Sequence, residues 1–170
     1  MTWTAIIMIV HTHEMAADKR NPLGPTGETV RANMKRLMEL QNLGYAQLSR
    51  KLAEVGRSIP DLGLRRVEAG DRRIDVDDLM ALAAAFDVSP VTLLMPEVPP
   101  EEWETDVQAT GQPEPVTAQR LWLWLTAAGP PIRPTYNAEN LKWVAGAVPR
   151  AVFNSIMARY PQAEADLGND

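Results

Sequence analysis

Cysteine is absent from this chain of 170 residues. That excludes a disulfide framework, thiolate chemistry and any metal site built on sulfur, and it suits a reducing cytoplasm. Long apolar spans are missing as well. The run Ala5 to Val10 falls far short of the ~20 residues that a membrane helix needs. It has no basic flank before it and no small-residue cleavage site after it, so no secretory signal is expected. Histidine is scarce: His11 and His13 stand beside Glu14 with no partner histidine elsewhere, so no metal site is read there. Past residue 95 there is one lysine, Lys142, and one serine, Ser155, both on segments expected to be helical. A self-cleaving serine–lysine centre would need a β-rich setting for such a pair. With no phosphate-binding glycine loop and no nucleophile–base pair, the chain is expected to be no enzyme and to need no cofactor.

What is present is an uneven distribution of charge. The whole chain carries a net −5. Residues 31–73 nevertheless hold ten arginines and lysines against five acids, a local +5, which leaves −10 for the remainder. A polyanion senses charge over roughly 8–10 Å, the Debye length at physiological salt, so the local window matters more than the total. A basic stretch in an acidic protein is compatible with nucleic-acid binding.

Residues 1–28 read as an N-terminal extension and loop. Thr4 to Val10 favour a strand if ordered. Met15 opens Met-Ala-Ala-Asp-Lys-Arg, which resembles a natural start, so residues 1–14 are read as an upstream extension. Residues 18–28 carry Pro22, Gly24, Pro25 and Gly27 and are expected to be a loop. From 29 to 95 the pattern is that of five short helices. The first, 29–42, has Val30, Met34, Leu37 and Met38 at helical spacing, with Thr29 as its cap. The second runs from Tyr45 to Glu54 with Leu48 and Leu52 inward, and Gly56 marks the turn. The third runs from Pro60 to Ala69, and Gly70 stops it. Asp75 caps a fourth through Phe86, and Pro90 opens a fifth. Residues 96–115, rich in proline and acid, read as a linker. Residues 116–170 read as a small helical C-terminal region, with helices expected over 117–128, 137–148 and 149–160. The expected fold class is therefore all-α.

A tight pair of helices inside a five-helix unit lets one helix brace across a DNA backbone while the next enters the major groove, which is ~12 Å wide. The exposed face of the third helix would present Asp61, Leu62, Arg65 and Arg66, with Leu64 and Val67 packed inward on Leu48 and Leu52. Arginine is the usual bidentate reader of guanine, Leu62 can meet a thymine methyl, and Asp61 can accept from cytosine or simply cap the helix.

Three segments in order carry a resemblance: Gly44-Tyr-Ala-Gln-Leu-Ser-Arg-Lys-Leu, then Ile59-Pro-Asp-Leu-Gly-Leu-Arg-Arg-Val-Glu-Ala-Gly70, then Asp75-Val-Asp-Asp-Leu-Met-Ala-Leu-Ala with Phe86-Asp-Val-Ser-Pro. Over residues 30–95 these resemble the Xre family of lambda-repressor-like helix-turn-helix domains, and more loosely its members in actinobacteria and their phages. The resemblance implies a five-helix domain that binds operator DNA, usually as a dimer. It implies base-reading positions at Asp61, Leu62, Arg65 and Arg66. Phosphate-contacting positions would fall at Tyr45, Arg72 and Arg73, with Arg50 and Arg57 as further basic candidates. The chain departs from the family pattern at several places. Gly44 stands where a Ser or Thr cap is common, and Tyr45 where a Gln often touches phosphate. Met38 stands where an Arg often pairs with the glutamate of the third helix, leaving Glu68 to Arg36 or Arg72. The turn from Glu54 to Pro60 is longer than usual.

Trp122 and Trp124 are two residues apart and cannot both face one core from a helix. Together with Trp143 they are read as an interface. The expectation is a cytoplasmic regulator, a repressor acting by operator occlusion, of the phage-immunity or mobile-element kind. It would dimerise through its C-terminal region. The alternative is an antitoxin-like or adaptor protein whose tail binds a protein partner.

Overall fold

The computed structural model describes residues 22–129, 143 and 145–159. The expected strand at Thr4 to Val10, the His11–Glu14 group and most of the helix expected over 137–148 lie outside the described residues. The architecture is mainly α, with one short antiparallel ladder that an all-α reading does not include. Five helices come first: α1 (Pro25–Leu40), α2 (Tyr45–Glu54), α3 (Asp61–Glu68), α4 (Val76–Phe86) and α5 (Pro90–Leu94). They share one core, in which Met34, Leu48, Leu52, Leu64, Leu82, Phe86 and Leu93 are almost completely buried.

The first four helices stop in the same way. Asn42, Gly56, Gly70 and Asp87 each take a positive φ just past a helix end. In each case the next amide reaches back to the helix: Leu43 to Met38, Arg57 to Leu52, Asp71 to Arg66, Val88 to Ala83. These returns satisfy last-turn carbonyls that would otherwise lack partners. Glycine takes this conformation without a Cβ penalty, and Asn and Asp tolerate it.

The start of α1 differs from expectation. It begins at Pro25, not at Thr29, and Thr29 back-bonds to the Pro25 carbonyl from inside the helix. Pro25 supplies the φ of a first helical turn, and Gly24 offers no side chain as a cap. A distant threonine substitutes. The Thr26 amide donates to Thr110 Oγ1 at 3.3 Å, and the Thr110 amide donates to Thr26 Oγ1 at 2.9 Å. A Cβ at Gly24 would lie 2.8 Å from that same Thr110 hydroxyl, so glycine is what permits the approach.

The stretch 96–115, expected as a linker, is therefore folded. It holds a 3-10 turn at Pro100–Glu102 and strand β1 (Asp106–Val107), which pairs with β2 (Val116–Thr117). Helix α6 (Ala118–Leu125) follows, capped by Thr117, and α7 spans Arg150–Arg159. Met95, Val107, Ala109, Val116, Ala118 and Leu121 form a second small core, with Val91, Val98, Trp103 and Trp124 packed against it. Composition hid this because the apolar residues alternate with acids and prolines, as the sides of a short hairpin do.

One buried polar side chain joins α1 to α5. Asn33 donates to the carbonyls of Leu93 and Met95 at 3.0 and 2.7 Å, and its oxygen accepts from Arg36 at 3.2 Å. Its amide donor is thus directed at the end of α5, while its oxygen stays with α1. Asn33→Ala strands two carbonyls, each costing about 1–3 kcal/mol when buried without a partner. Urea unfolding should show a loss of about 2–4 kcal/mol; a midpoint equal to wild type would mean that water replaces the amide.

Candidate nucleic-acid interface

Helix α3 has eight residues and one clear inward side. Leu64 is fully buried and Val67 nearly so, while Asp61, Leu62, Arg65 and Arg66 are exposed. At 100° per residue, Leu62 sits opposite the buried pair, with Arg65 to one side toward Glu68 and Arg66 to the other toward Gly63. Leu62 is 66% exposed, a large apolar side chain left in water on a helix otherwise packed behind. Asp61 accepts the amide of Leu62 at 2.8 Å, so its carboxylate engages the first turn of its own helix. The N-cap position is Pro60, so Asp61 is the first helical residue and not the cap, and this bond engages one of its carboxylate oxygens.

Two turns hold α3 in place, and both lead to one residue. Asp78 of α4 is 1% exposed. Its two oxygens accept from Arg57 Nε at 2.7 Å, in the turn before α3, and from Arg72 Nη2 at 2.8 Å, in the turn after it. Arg57 also donates to Asp75 at 2.7 Å. The hydrogen bond to Asp78 raises the Arg57 pKa further above its already high value, with the neighbouring carboxylates adding to it. Asp75, the cap of α4, is held below the ordinary carboxylate range by the Asp78 amide first, and by Arg57 in addition. Arg72 reaches Asp78 by passing close under α3. A Cβ on Gly63 would lie 2.9 Å from Arg72 Nη1. Ile59 is buried at the foot of α3, and Ser49 of α2 donates to its carbonyl at 2.7 Å. The long turn is thereby fastened at several points rather than loose.

The other flank of α3 meets α1 and α2. The Tyr45 hydroxyl donates to the Glu68 carboxylate, and Lys35 of α1 lies 3.8 Å from its second oxygen. Arg31 donates to the Glu68 carbonyl at 2.8 Å. The guanidinium of Arg65 lies over the Tyr45 ring, 4.3 Å from its centroid. Glu68 therefore pairs with neither Arg36 nor Arg72. Arg36 turns to Glu97 at 3.1 Å, and Arg72 is taken by Asp78.

The sequence-expected site residues thus divide. Asp61, Leu62, Arg65 and Arg66 share one exposed face. Tyr45 spends its hydroxyl inside the protein. Arg57 and Arg72 are structural braces, and Arg73 donates to the carbonyl of Pro22. Arg50 is exposed on α2, away from these networks. Trp122 is 41% exposed and stands 6.4 Å from Trp103, whereas Trp124 packs on the second core and Trp143 is half-buried. Among the described residues no group of His, Asp or Glu could hold a metal ion, and no helix is long and apolar enough to cross a membrane.

Lys35, Asn33 and Asp78 were missed. Asp78 did leave a signal: it lies in phase with Ala81, Leu82, Ala85 and Phe86, so an acid occupies the inward stripe of α4. Such an acid must be paired. Asp78→Ala should cost about 1–3 kcal/mol by urea unfolding, because Arg72 loses its bond to the carboxylate and Arg57 is left with Asp75 alone. A loss under about 1 kcal/mol, the scale of an exposed pair, would show that the arginines re-solvate freely. The depressed Asp75 pKa has a definite sign: its contribution is present above the unfolded value near ~3.9 and is lost as pH falls through the folded one. Asp75→Asn should flatten the acid limb of the stability curve below about pH 4; an unaltered limb would rule the cap out as its source. Comparisons with protein-family models, with curated proteins and with solved structures found no match to this chain.

Proposed function

We propose that residues 25–95 form a lambda-repressor-like helix-turn-helix domain of the Xre kind, and that the protein is a sequence-specific double-stranded DNA-binding regulator. In this reading α3 is the recognition helix and α2 braces it. The observation that carries the proposal is the solvent-facing side of α3, where Leu62, Arg65 and Arg66 stand exposed on a short helix fastened on both flanks. Among the described residues Leu62 stands exposed between the two arginines. A major groove offers thymine methyls to such a leucine and guanine edges to an arginine beside it. The protein would act by binding, as a repressor occluding polymerase, in the cytoplasm.

Dimers of such domains read two half-sites about 34–36 Å apart. We place self-association in the C-terminal region, where Trp122 meets Trp103 at a tilt yet stays exposed. The same exposed indole also suits the second reading, a tail that binds a different protein. Sedimentation of full-length Trp122→Ala separates the two. Loss of a homodimer supports the first, and a monomeric wild type that captures one stoichiometric partner supports the second.

Selection from a random duplex library with the purified protein tests DNA binding and yields half-site spacing together. On the selected duplex, Arg66→Ala should weaken binding by about 1–3 kcal/mol, roughly 5- to 150-fold, while binding to scrambled duplex changes little. Equal losses on both duplexes would remove Arg66 from base readout. Failure to enrich any sequence would overturn the proposal.

A further inference from the structure

The two arginines on the face of α3 are not equivalent. Arg66 lies on the Gly63 side, and its side chain makes no hydrogen bond or ion pair among the described residues. Arg65 leans the other way, toward α1 and α2, onto the ring of Tyr45. Beside it is a groove of about 440 Å³ lined by Arg31, Ala32, Lys35, Arg65, Glu68 and Ala69. Three of those six residues are cationic. The one acid is occupied: its carboxylate takes the Tyr45 hydroxyl and faces Lys35, and its carbonyl takes Arg31. Arg31 is further bound to Glu28 at 2.8 Å. Lys35, with its side chain 60% exposed, and Arg65 are left as the cations that can serve a ligand.

The chemistry of the stack matters. Guanidinium donors lie in the plane of the group, so a ring against its face orients the group without consuming an N–H. The Tyr45 ring is itself fixed by the bond from its hydroxyl to Glu68. The contact holds Arg65 over the Tyr45 ring, on the wall of the groove that Lys35 also lines. A flexible Lys next to an oriented Arg suits tetrahedral phosphate oxygens, which accept from several directions. A base edge asks for one fixed bidentate approach.

We propose that Lys35 and Arg65 form a phosphate-backbone cradle beside the recognition face, that Tyr45 is the positioning residue for Arg65, and that Arg65 is not a base reader. Sequence discrimination then falls to Leu62 and Arg66. This rests on the DNA-binding reading above and deepens it. It also moves Tyr45 from a direct phosphate contact to an indirect one.

The test uses the full-length protein with the selected duplex and a scrambled duplex of equal length, titrated across salt. Each phosphate contact contributes about 0.9 to the log–log salt slope, so its loss shrinks the affinity drop between about 50 and 200 mM salt roughly 3.5-fold. Lys35→Ala and Arg65→Ala should each flatten the slope by about that amount and weaken both duplexes by the same factor. Tyr45→Phe, which keeps the ring but loses the bond to Glu68, should give a slope between wild type and Tyr45→Leu. Tyr45→Leu should reproduce most of the Arg65→Ala change and add little in the Arg65→Ala background. Lys35 is exposed, so Lys35→Ala keeps the test available if Tyr45→Leu does not fold. An Arg65→Ala loss confined to the selected duplex would overturn the inference and return Arg65 to base reading. Unchanged slopes for Lys35→Ala and Arg65→Ala would overturn it while leaving DNA binding intact. A wild type that binds neither duplex would overturn both.

Discussion

A carboxylate out of water must find cations or be lost, and Asp78 finds two. It sits on α4 among alanines and leucines, and it draws in Arg57 from one side of α3 and Arg72 from the other. The desolvation penalty of that carboxylate makes both turns determinate, since freeing either arginine leaves charge underneath unmet. A short helix such as α3 has little stability of its own. Its pose comes from the leucine and valine beneath it and from this clamp across its ends. Gly63 belongs to the same device, because a larger residue there would press on the arginine that passes under the helix.

The opposite flank of α3 is held by a different chemistry. Glu68 collects a phenol, a lysine and, through its carbonyl, an arginine. One flank is therefore buried and ionic, the other partly exposed and mixed. The first suits a fixed brace. The second retains side chains that can exchange a protein partner for an external anion. Farther back, Thr110 caps α1 across the fold, so the segment after α5 is tied to the start of the first helix rather than trailing from its end.

The helical bundle was largely legible in the residues. Leu48 and Leu52, Leu64 and Val67, and Leu82 and Phe86 stand at spacings that only a helix turns to one side. Gly56 and Gly70 marked the stops, and Asp75 marked a start, because each solves a local backbone problem. Thr29 misled for an instructive reason. A threonine before an apolar stripe is a good cap, yet Pro25 extends the helix forward and a hydroxyl 84 residues away takes the capping role. The run 96–115 misled in the same way. Its prolines and acids suggested a linker, and its few valines and alanines gained meaning only once β1 met β2.

The arginines show the limit of reading charge along a chain. Arg57, Arg65, Arg66, Arg72 and Arg73 look alike in sequence, and they supply five of the ten cations of the basic window. What distinguishes them is which acids, rings and carbonyls the fold delivers to each: Asp78 and Asp75 to Arg57, Asp78 to Arg72, Tyr45 to Arg65. Sequence by itself determined the helical periods, the stops and the exposed side of α3, because those follow from geometry within a few residues. Tertiary structure decided which cations brace the protein and which face outward, because an ion pair depends on distance in space, and residues far apart in the chain supply the partners.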